Sequence, residues 1–537
     1  MDRKCARTQI STTERNIEPQ RRNDAKDKRR HSVDIAVKRI FSRSTASISL
    51  SIVLFSSLAY AGEEAQAAQV SPVMILPFIL LLGAIAVGPF INRHWWEKYY
   101  PVVALGLGLV PVAYYLFVIG NGSRMLQTGV EYVSFIVLIG SLFVVSGGIH
   151  IRIKGKSTPL ANVFLLAIGA VVSNFLGTTG ASMILIRPFL RVNKYRLRGY
   201  HVVFFIFIVS NIGGALTPIG DPPLFLGYLK GVPFFWVLEY VWHVWLIAVV
   251  SVLGVFWVID YLSFTKFEAG KRHIPESELH EDAEVSGMQN IFFLTVILIA
   301  VFIERPHFLR EALMVAAAAG SYFTTKHEIH KKNDFNFIPI KEVAILFIGI
   351  FATMVPALDW LELNAMKIGI TTPGQFYWGT GVLSSILDNA PTYLNFLSAS
   401  IGLFVDQNIV AQVQHLVATH GSDIAALGGN HAEEVRNTFA TLMKYHSDIV
   451  ATGTVTLSDI QISYLIGNQS IYLKAISIAA VFFGACTYIG NGPNFMVKSI
   501  AEQSGVSMPS FFGYIVRYTV PVLIPIYALV WYLFFRS

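Results

Sequence analysis

Apolar runs of about 20 residues recur along the whole chain, the length an α-helix needs to cross the hydrocarbon core of a bilayer. They fall at 71–90, 101–120, 129–149, 160–191, 200–226, 233–262, 289–303, 308–325, 341–358, 374–400, 471–498 and 510–535. In lipid every backbone N–H and C=O must be satisfied within the chain, so such segments span as helices. Composition agrees: of 537 residues, 54% are hydrophobic and 14% charged, whereas soluble domains carry about 25% charged residues. The fold class is an all-α polytopic membrane protein whose first partner is the lipid bilayer.

The net charge of +7 does not indicate nucleic acid. Residues 1–43 hold 13 Lys and Arg against 6 Asp and Glu, which accounts for the whole excess. This stretch is polar and aperiodic and reads as a disordered basic tail. Residues 44–61 follow, with the apolar "SISLSIVLFSSL" and then Ala59-Tyr60-Ala61 before Gly62. That is the layout of a secretory signal peptide; an uncleaved first helix is the alternative. Either way 62–70 is expected outside. The two cysteines, Cys5 and Cys486, allow no disulfide framework and no metal–thiolate site. No G-x-x-x-x-G-K-[ST] string occurs, so ATP is not expected to drive transport directly. H-E-x-x-H and G-x-S-x-G strings are also missing, and an enzyme is not expected.

Two apolar segments are interrupted by small and polar residues, at "SNFLGTTGAS" (173–182) and "SSILDNAPTY" (384–393). Each reads as a re-entrant hairpin. Two further spans are broken, at "SNIGGALTPIGDPPLF" (210–225) and "GACTYIGNGPNF" (484–495). Non-helical backbone at membrane depth is tolerated only where protein or a water-filled cavity covers it. The order then repeats: three spans, a broken hairpin, a broken span, a span, twice over. "TPIGDPPLF" (217–225) aligns with "TYIGNGPNF" (487–495), and 171–181 aligns more weakly with 382–392. Each half crosses five times, so the second is inverted relative to the first: two inverted repeats, about ten spans plus two hairpins. Discontinuous helices within inverted repeats are a secondary-transporter architecture.

The first repeat covers 71–262, a cytoplasmic linker 263–288, and the second repeat 289–400 and 471–537. An amphipathic helical insert, 401–470, interrupts the second repeat and is expected outside; its His and acidic residues show no metal-ligand spacing. The expected inside loops include 91–100, 150–159, 191–199 and 326–341. Roughly eighteen Lys and Arg fall inside against about nine outside, as the positive-inside rule requires. The expected location is the bacterial inner membrane, multi-pass, with the first hairpin opening from the cytoplasm and the second from outside.

A charge at the bilayer centre costs at least about 2.5–3.5 kcal/mol, so uncompensated acids there are functional suspects. Asp221 sits in the first helix break, and Asp388 sits with Asn389 at the second hairpin tip. Their repeat partners are Asn491 for Asp221, Gly177 for Asp388 and Thr178 for Asn389. Each pseudo-symmetric site is therefore expected to hold one acid plus neutral oxygens, with Asp221 and Asp388 as ligands of a small hard cation such as Na⁺ or Li⁺. A proton can contest the same carboxylate. Helix capping is the alternative for both acids, since Pro222 follows Asp221 directly and Pro391 follows Asp388 by three. Ser210 and Asn211 can supply further oxygens or simply pack, and Thr217 stands in register with Thr487. Arg187 reads as a snorkelling anchor. Arg517 is deep enough to pair with an acid or hold an anion, with packing or snorkelling as the plainer reading. Glu239, His243 and Asp260 share one span and form a candidate proton relay, with an interfacial histidine as the plainer reading of His243.

"SNIGGALTPIGDPPLF" and "ILDNAPTYLNF", on a two-hairpin inverted repeat, resemble the ion transporter superfamily. Within it they look most like the NhaD-type sodium/proton antiporters and the related arsenite and citrate permeases. The resemblance covers about residues 70–535 outside the insert. It implies a homodimer, a scaffold part and a transport part that moves like an elevator. It also implies ion sites at the hairpin tips and broken helices. Carried onto this chain these are Ser173, Asn174, Thr178 and Thr179 with Gly220 and Asp221. The second set is Ser385, Asp388, Asn389 and Thr392 with Thr487, Gly490 and Asn491. The first hairpin reads "GTTGAS" and lacks the Ser-Asn-Thr string of the dicarboxylate branch, which argues against a carboxylate substrate. Two functional readings stand: exchange of Na⁺ or Li⁺ for H⁺, or a cation- or proton-coupled permease for citrate or another small anion, or for arsenite. Neither calls for a cofactor; Na⁺ and H⁺ enter as transported or coupling ions.

Overall fold

The computed structural model describes residues 67–152, 157–269, 284–303, 306, 308–419, 421 and 431–536. The expected basic tail and signal-like segment lie outside the described residues, as does most of the 263–288 linker.

The described residues are almost wholly helical. In order they form α1 (Leu76–Ile91), α2 (Arg93–Tyr114), α3 (Gly122–Gly147), α4 (Pro159–Val192), α5 (Gly199–Ile208), α6 (Pro222–Leu229) and α7 (Trp236–Ala269). Then come α8 (Gln289–Ala300), α9 (Leu309–Thr324), α10 (His327–Lys332), α11 (Ile338–Ile368), α12 (Pro373–Ile386) and α13 (Asn389–Phe404). The insert contributes α14 (Gln407–Ala418), α15 (Ala432–Tyr445), α16 (Ser447–Ala451) and α17 (Leu457–Asn468). The chain closes with α18 (Ser470–Phe483), α19 (Gly492–Gln503), α20 (Phe511–Tyr514) and α21 (Ile524–Phe534). Two short strands, β1 (His150–Arg152) and β2 (Glu284–Ser286), pair antiparallel. Among the described residues, seven helical stretches are long and apolar enough to cross a membrane, or nine if each of two bent pairs counts as a span. The protein is thus an all-α polytopic membrane protein.

Helix starts follow local chemistry. The Asn92 side chain accepts from the Trp95 amide at 3.0 Å, so α2 begins at Arg93. The stretch 91–100, expected as a loop, is therefore mostly helix: hydropathy falls at "RHWWEKYY", but an N-cap and the helix formers Glu97 and Lys98 carry the turns beyond the apolar run. Thr158 caps α4 and Thr372 caps α12, each followed by a proline in the first turn. Thr372 and Gln375 complete a capping box.

By length alone α4 would span, but it does not run straight. Gly177 interrupts it with φ 70° and ψ 156°. Asn162 and Asn193 exchange side-chain amide hydrogen bonds, each 2.8 Å long. A straight helix would hold these residues about 46 Å apart, so the chain reverses at Gly177 and the two arms lie side by side. The α12–α13 pair also folds back: the Phe376 ring, early in α12, lies 6.0 Å from Phe396 and 6.4 Å from Phe404 in α13. Between these pairs runs α5, in which every residue from Tyr200 to Ile208 is buried.

After α5 the backbone leaves the helix, passes a short turn at Ile212–Gly214 and re-enters as α6 at Pro222. The same happens after α18, through Gly484–Cys486 to α19 at Gly492. In each break two glycines touch across the open turn: a Cβ on Gly220 would run into Gly214 O, and one on Gly490 would sit 2.7 Å from Gly484 O.

Two predictions follow from the breaks. The backbone at Gly177 is in a region open essentially to glycine alone, so Gly177→Ala should destabilise by about 1–3 kcal/mol, read as a lower melting temperature in detergent. Gly220→Ala should cost about 1–3 kcal/mol through overpacking, whereas Gly492→Ala, with open space at its Cβ, should leave the melting temperature unchanged. Equal behaviour of the last two variants would refute the close glycine crossing.

Candidate functional site

The two folded-back tips and the two helix breaks converge on Asp221. Its side chain is 1% exposed. Thr178, just past the α4 reversal, donates its hydroxyl to Oδ1 at 2.6 Å. Asn491, at the start of α19, donates Nδ2 to the same oxygen at 3.0 Å. Asn389, at the start of α13, donates Nδ2 to Oδ2. The Asn389 Oδ1 atom is buried and has no hydrogen-bond partner among the described residues. Asn491 Nδ2 also lies 3.2 Å from both Ser210 O and Asn211 Oδ1.

Asp221 is the residue before α6, but its carboxylate makes no capping bond. Capping therefore does not account for it. Asn491 precedes α19 in the same way: Asp221 has φ −147° and ψ 145°, Asn491 φ −153° and ψ 141°, and neither side chain caps. Asp388 differs. It is half-buried, and its Oδ1 accepts from the Ala390 amide at 3.0 Å, so it does cap α13. No hydrogen bond joins it to Asp221, and donors expected in two separate sites, Thr178 in one and Asn389 and Asn491 in the other, meet at the Asp221 carboxylate.

The remaining candidates brace the breaks. Ser173 donates to Gly169 O and to Val209 O at 2.8 and 2.7 Å. Asn174 donates to Gly213 O at 2.7 Å and accepts from the Leu216 amide at 2.9 Å. Thr217 donates to Asn174 O at 2.7 Å while accepting from the Gly220 amide at 3.1 Å. Thr487 repeats this, donating to Ser385 O at 2.6 Å and accepting from the Gly490 amide at 3.0 Å. Gly220 O accepts from the Thr178 amide at 2.8 Å. Ser385 and Thr392 bond back to their own helices. Thr179 is half-buried and lines a cavity of about 30 Å³ beside Asp221.

Asn494 was not among the sequence candidates. It accepts from Asn211 at 2.7 Å and donates to Gly484 O and Thr487 O at 2.8 and 2.9 Å, joining the two breaks. Asn494 is fully buried, and nothing local in "IGNGPNF" marks it out beforehand.

The charged candidates fall elsewhere. Arg517 is exposed and does not reach the cluster. Arg187 contacts Asp334 at 3.3 Å. Glu239 lies at the insert, 3.3 Å from Lys444. His243 packs on the Phe534 ring at 5.2 Å. Asp260 is held by Arg196, Tyr200 and Asn162. Glu239 and Asp260 stand 21 residues apart on one helix, about 31 Å, so they form no relay. Buried aspartates thus divide into two kinds. Asp260 and Asp359, both 0% exposed, each bond an arginine, Arg196 and Arg124. Asp221 bonds only neutral donors.

A family model whose description reads "Putative citrate transport" matches residues 67–535. A comparison with curated proteins returns no match. The matched stretch takes in the membrane-capable helices among the described residues, both folded-back pairs and Asp221 with its three donors. The chain belongs to this family and is a multi-pass membrane transporter.

Proposed function

We propose that the protein is a secondary transporter in which Asp221 binds Na⁺ (or Li⁺) and H⁺ in alternation, exchanging one for the other. The observation that carries this reading is a fully buried carboxylate with no cationic partner among the described residues. An ionised acid in a low-dielectric site is unfavourable unless something neutralises it. A proton or a small cation does so, and competition between them couples their movements. The groups around Asp221 suit a hard cation. Thr178 offers a hydroxyl oxygen, and the Asn389 and Asn491 amides present carbonyl oxygens when rotated, a choice that heavy-atom positions do not fix. Asn389 Oδ1 is already unpaired. Asp388, half-buried at the neighbouring tip, is the second acid of this proposal.

The matching hydrogen bonds of Thr217 and Thr487, and the matching backbone at Asp221 and Asn491, support reading the two halves as inverted repeats. In that reading α4 and the α12–α13 pair are re-entrant hairpins entering from opposite faces. Pairings between segments expected on one face agree: β1 with β2 inside, Lys444 with Glu239 outside. A homodimer in the bacterial inner membrane belongs to the same proposal.

The family description favours a second reading, a citrate permease coupled to the cation or proton held at Asp221. The local chemistry does not suit an anion at the carboxylate itself. The start of α6 has prolines at 222 and 223, which carry no N–H, and the next two amides bond Asp221 O at 3.1 and 3.4 Å. Few donors remain there for a carboxylate ligand. The adjoining cavity of about 30 Å³ holds a few waters or an ion, not a tricarboxylate.

Everted membrane vesicles separate these readings. Adding Na⁺ or Li⁺ to a respiring preparation should release a proton gradient with wild type, and Asp221→Asn should abolish the response at unchanged protein level. Asp388→Asn should weaken it. No cation response at any pH tested, together with citrate uptake that Asp221→Asn abolishes, would replace exchange by the permease. A full response from Asp221→Asn would reject Asp221 as the ion-binding group.

A further inference from the structure

Two small cavities lie along one seam between α3 and the second arm of α4. The first, of about 30 Å³, touches Asp221 and is lined by Thr179 and Gly180 from α4 and by Phe143 from α3. The second, of about 20 Å³, is lined by Phe143 and Ser146 from α3, by Met183 from α4, and by residues 333–336. Each exceeds the roughly 10–15 Å³ that one water needs. Phe143 lines both.

The spacing makes the two cavities parts of one stripe. Gly180 and Met183 are three apart on the second arm, and Phe143 and Ser146 are three apart on α3, so each pair shares a helix face. The stripe therefore runs from Asp221 toward residues 333–336. Small side chains keep the helices close along it: a Cβ on Gly180 would sit 3.2 Å from Ser146 Oγ. Where the stripe ends, Arg187, one turn beyond Met183, contacts Asp334 at 3.3 Å. This contact is loose for a charge-assisted bond. Asp334 is 66% exposed and holds φ 46°, and Arg187 Nη1 is buried without a hydrogen-bond partner. The seam thus has an apolar partition and a polar mouth. The partition is tied to the mouth, since the Phe143 ring packs 5.4 Å from Phe335. The adjoining "KHEIHKK" (326–332) marks this as the cytoplasmic end by the positive-inside rule.

We infer that this seam is the path by which an ion or proton reaches Asp221 from the cytoplasmic side, with the Phe143 ring as its hydrophobic partition and the Arg187–Asp334 pair at its mouth. The inference rests on Asp221 being the ion-binding group. A hydrophobic constriction between two cavities large enough for water blocks ions by excluding water and opens when the ring moves.

Thiol accessibility tests the path without needing transport. In the full chain carrying Cys5→Ser and Cys486→Ala, Met183→Cys and Thr179→Cys are made separately. Each is treated in everted vesicles with a membrane-impermeant trimethylammonium methanethiosulfonate, and the unmodified thiol is counted by polyethylene glycol–maleimide gel shift. Met183→Cys should react readily from the cytoplasmic face, and Thr179→Cys slowly. Adding Phe143→Ala should speed Thr179→Cys by about tenfold, equal to about 1.4 kcal/mol of barrier, and leave Met183→Cys unchanged. Phe143→Leu, a milder change, should give a smaller acceleration and guards against misfolding of the alanine variant. The path is overturned if Met183→Cys reacts only from the opposite face or not at all, or if neither Phe143 variant changes Thr179→Cys. Labelling as expected with no Asp221-dependent transport would reject the Asp221 reading and with it the ion path, leaving only a water-accessible seam partitioned by Phe143.

Discussion

The rest of the structure depends on holding one buried carboxylate without a countercharge. Asp221 is supported by a hydroxyl and two amides and by its place at the positive end of α6. Those donors come from separate elements: Thr178 from the α4 reversal, Asn389 from the start of α13, Asn491 from the second helix break. None can reach a common point if its segment runs as a straight helix. The reversal at Gly177, the glycine crossings and the prolines at 222 and 223 are therefore consequences of one requirement. The backbone must open wherever it approaches Asp221, and each opening is closed again by side chains such as Asn174, Thr217, Thr487 and Asn494.

The other two buried aspartates do the opposite kind of work. Asp260 gathers Arg196, Tyr200 and Asn162, with His201 Nε2 at 3.1 Å. It joins α7 to both ends of the folded α4 and to the start of α5. Asp359 accepts from Arg124 at 2.7 Å, from Tyr115 at 2.6 Å and from the Ala68 amide at 3.1 Å, joining α11 to α3 and to the end of α2. A fully partnered buried ion pair is costly to break by removing one member, about 3–5 kcal/mol. Such pairs suit fixed joints, whereas the proposed exchange needs a carboxylate free of cationic partners.

Much of this was legible in the sequence, because its signals are local. Interrupted apolar runs, with Gly and Pro inside them, located the helix breaks, the α4 reversal and the α12–α13 turn. The strings at 217–225 and 487–495 marked Asp221 and Asn491 as counterparts, and the two share a backbone conformation. What sequence could not supply was which distant groups share one oxygen. Asp388 reads the same way as Asp221, an acid at a break followed by proline. Only packing shows that one caps its helix and the other does not. Arg517 lies well inside an apolar span by position, yet faces outward, since span position carries no rotation. Asn494, Arg196 and Arg124 become informative only beside their partners 283, 64 and 235 residues away.

The near-symmetry of the centre also bears on why position 491 carries no second carboxylate against Asp221. Asn491 occupies the place that corresponds to Asp221, and its Nδ2 lies 3.0 Å from Asp221 Oδ1. Two carboxylates at that separation could not both ionise; they would share a proton, and a cation would have to displace it from both at once. An amide at one position removes that coupling while keeping the shape. It donates when the carboxylate is unliganded and presents a carbonyl oxygen when turned. In the proposed exchange, the asymmetry between Asp and Asn at matched positions keeps the proton and the cation competing at Asp221 and not across a carboxylate pair with position 491.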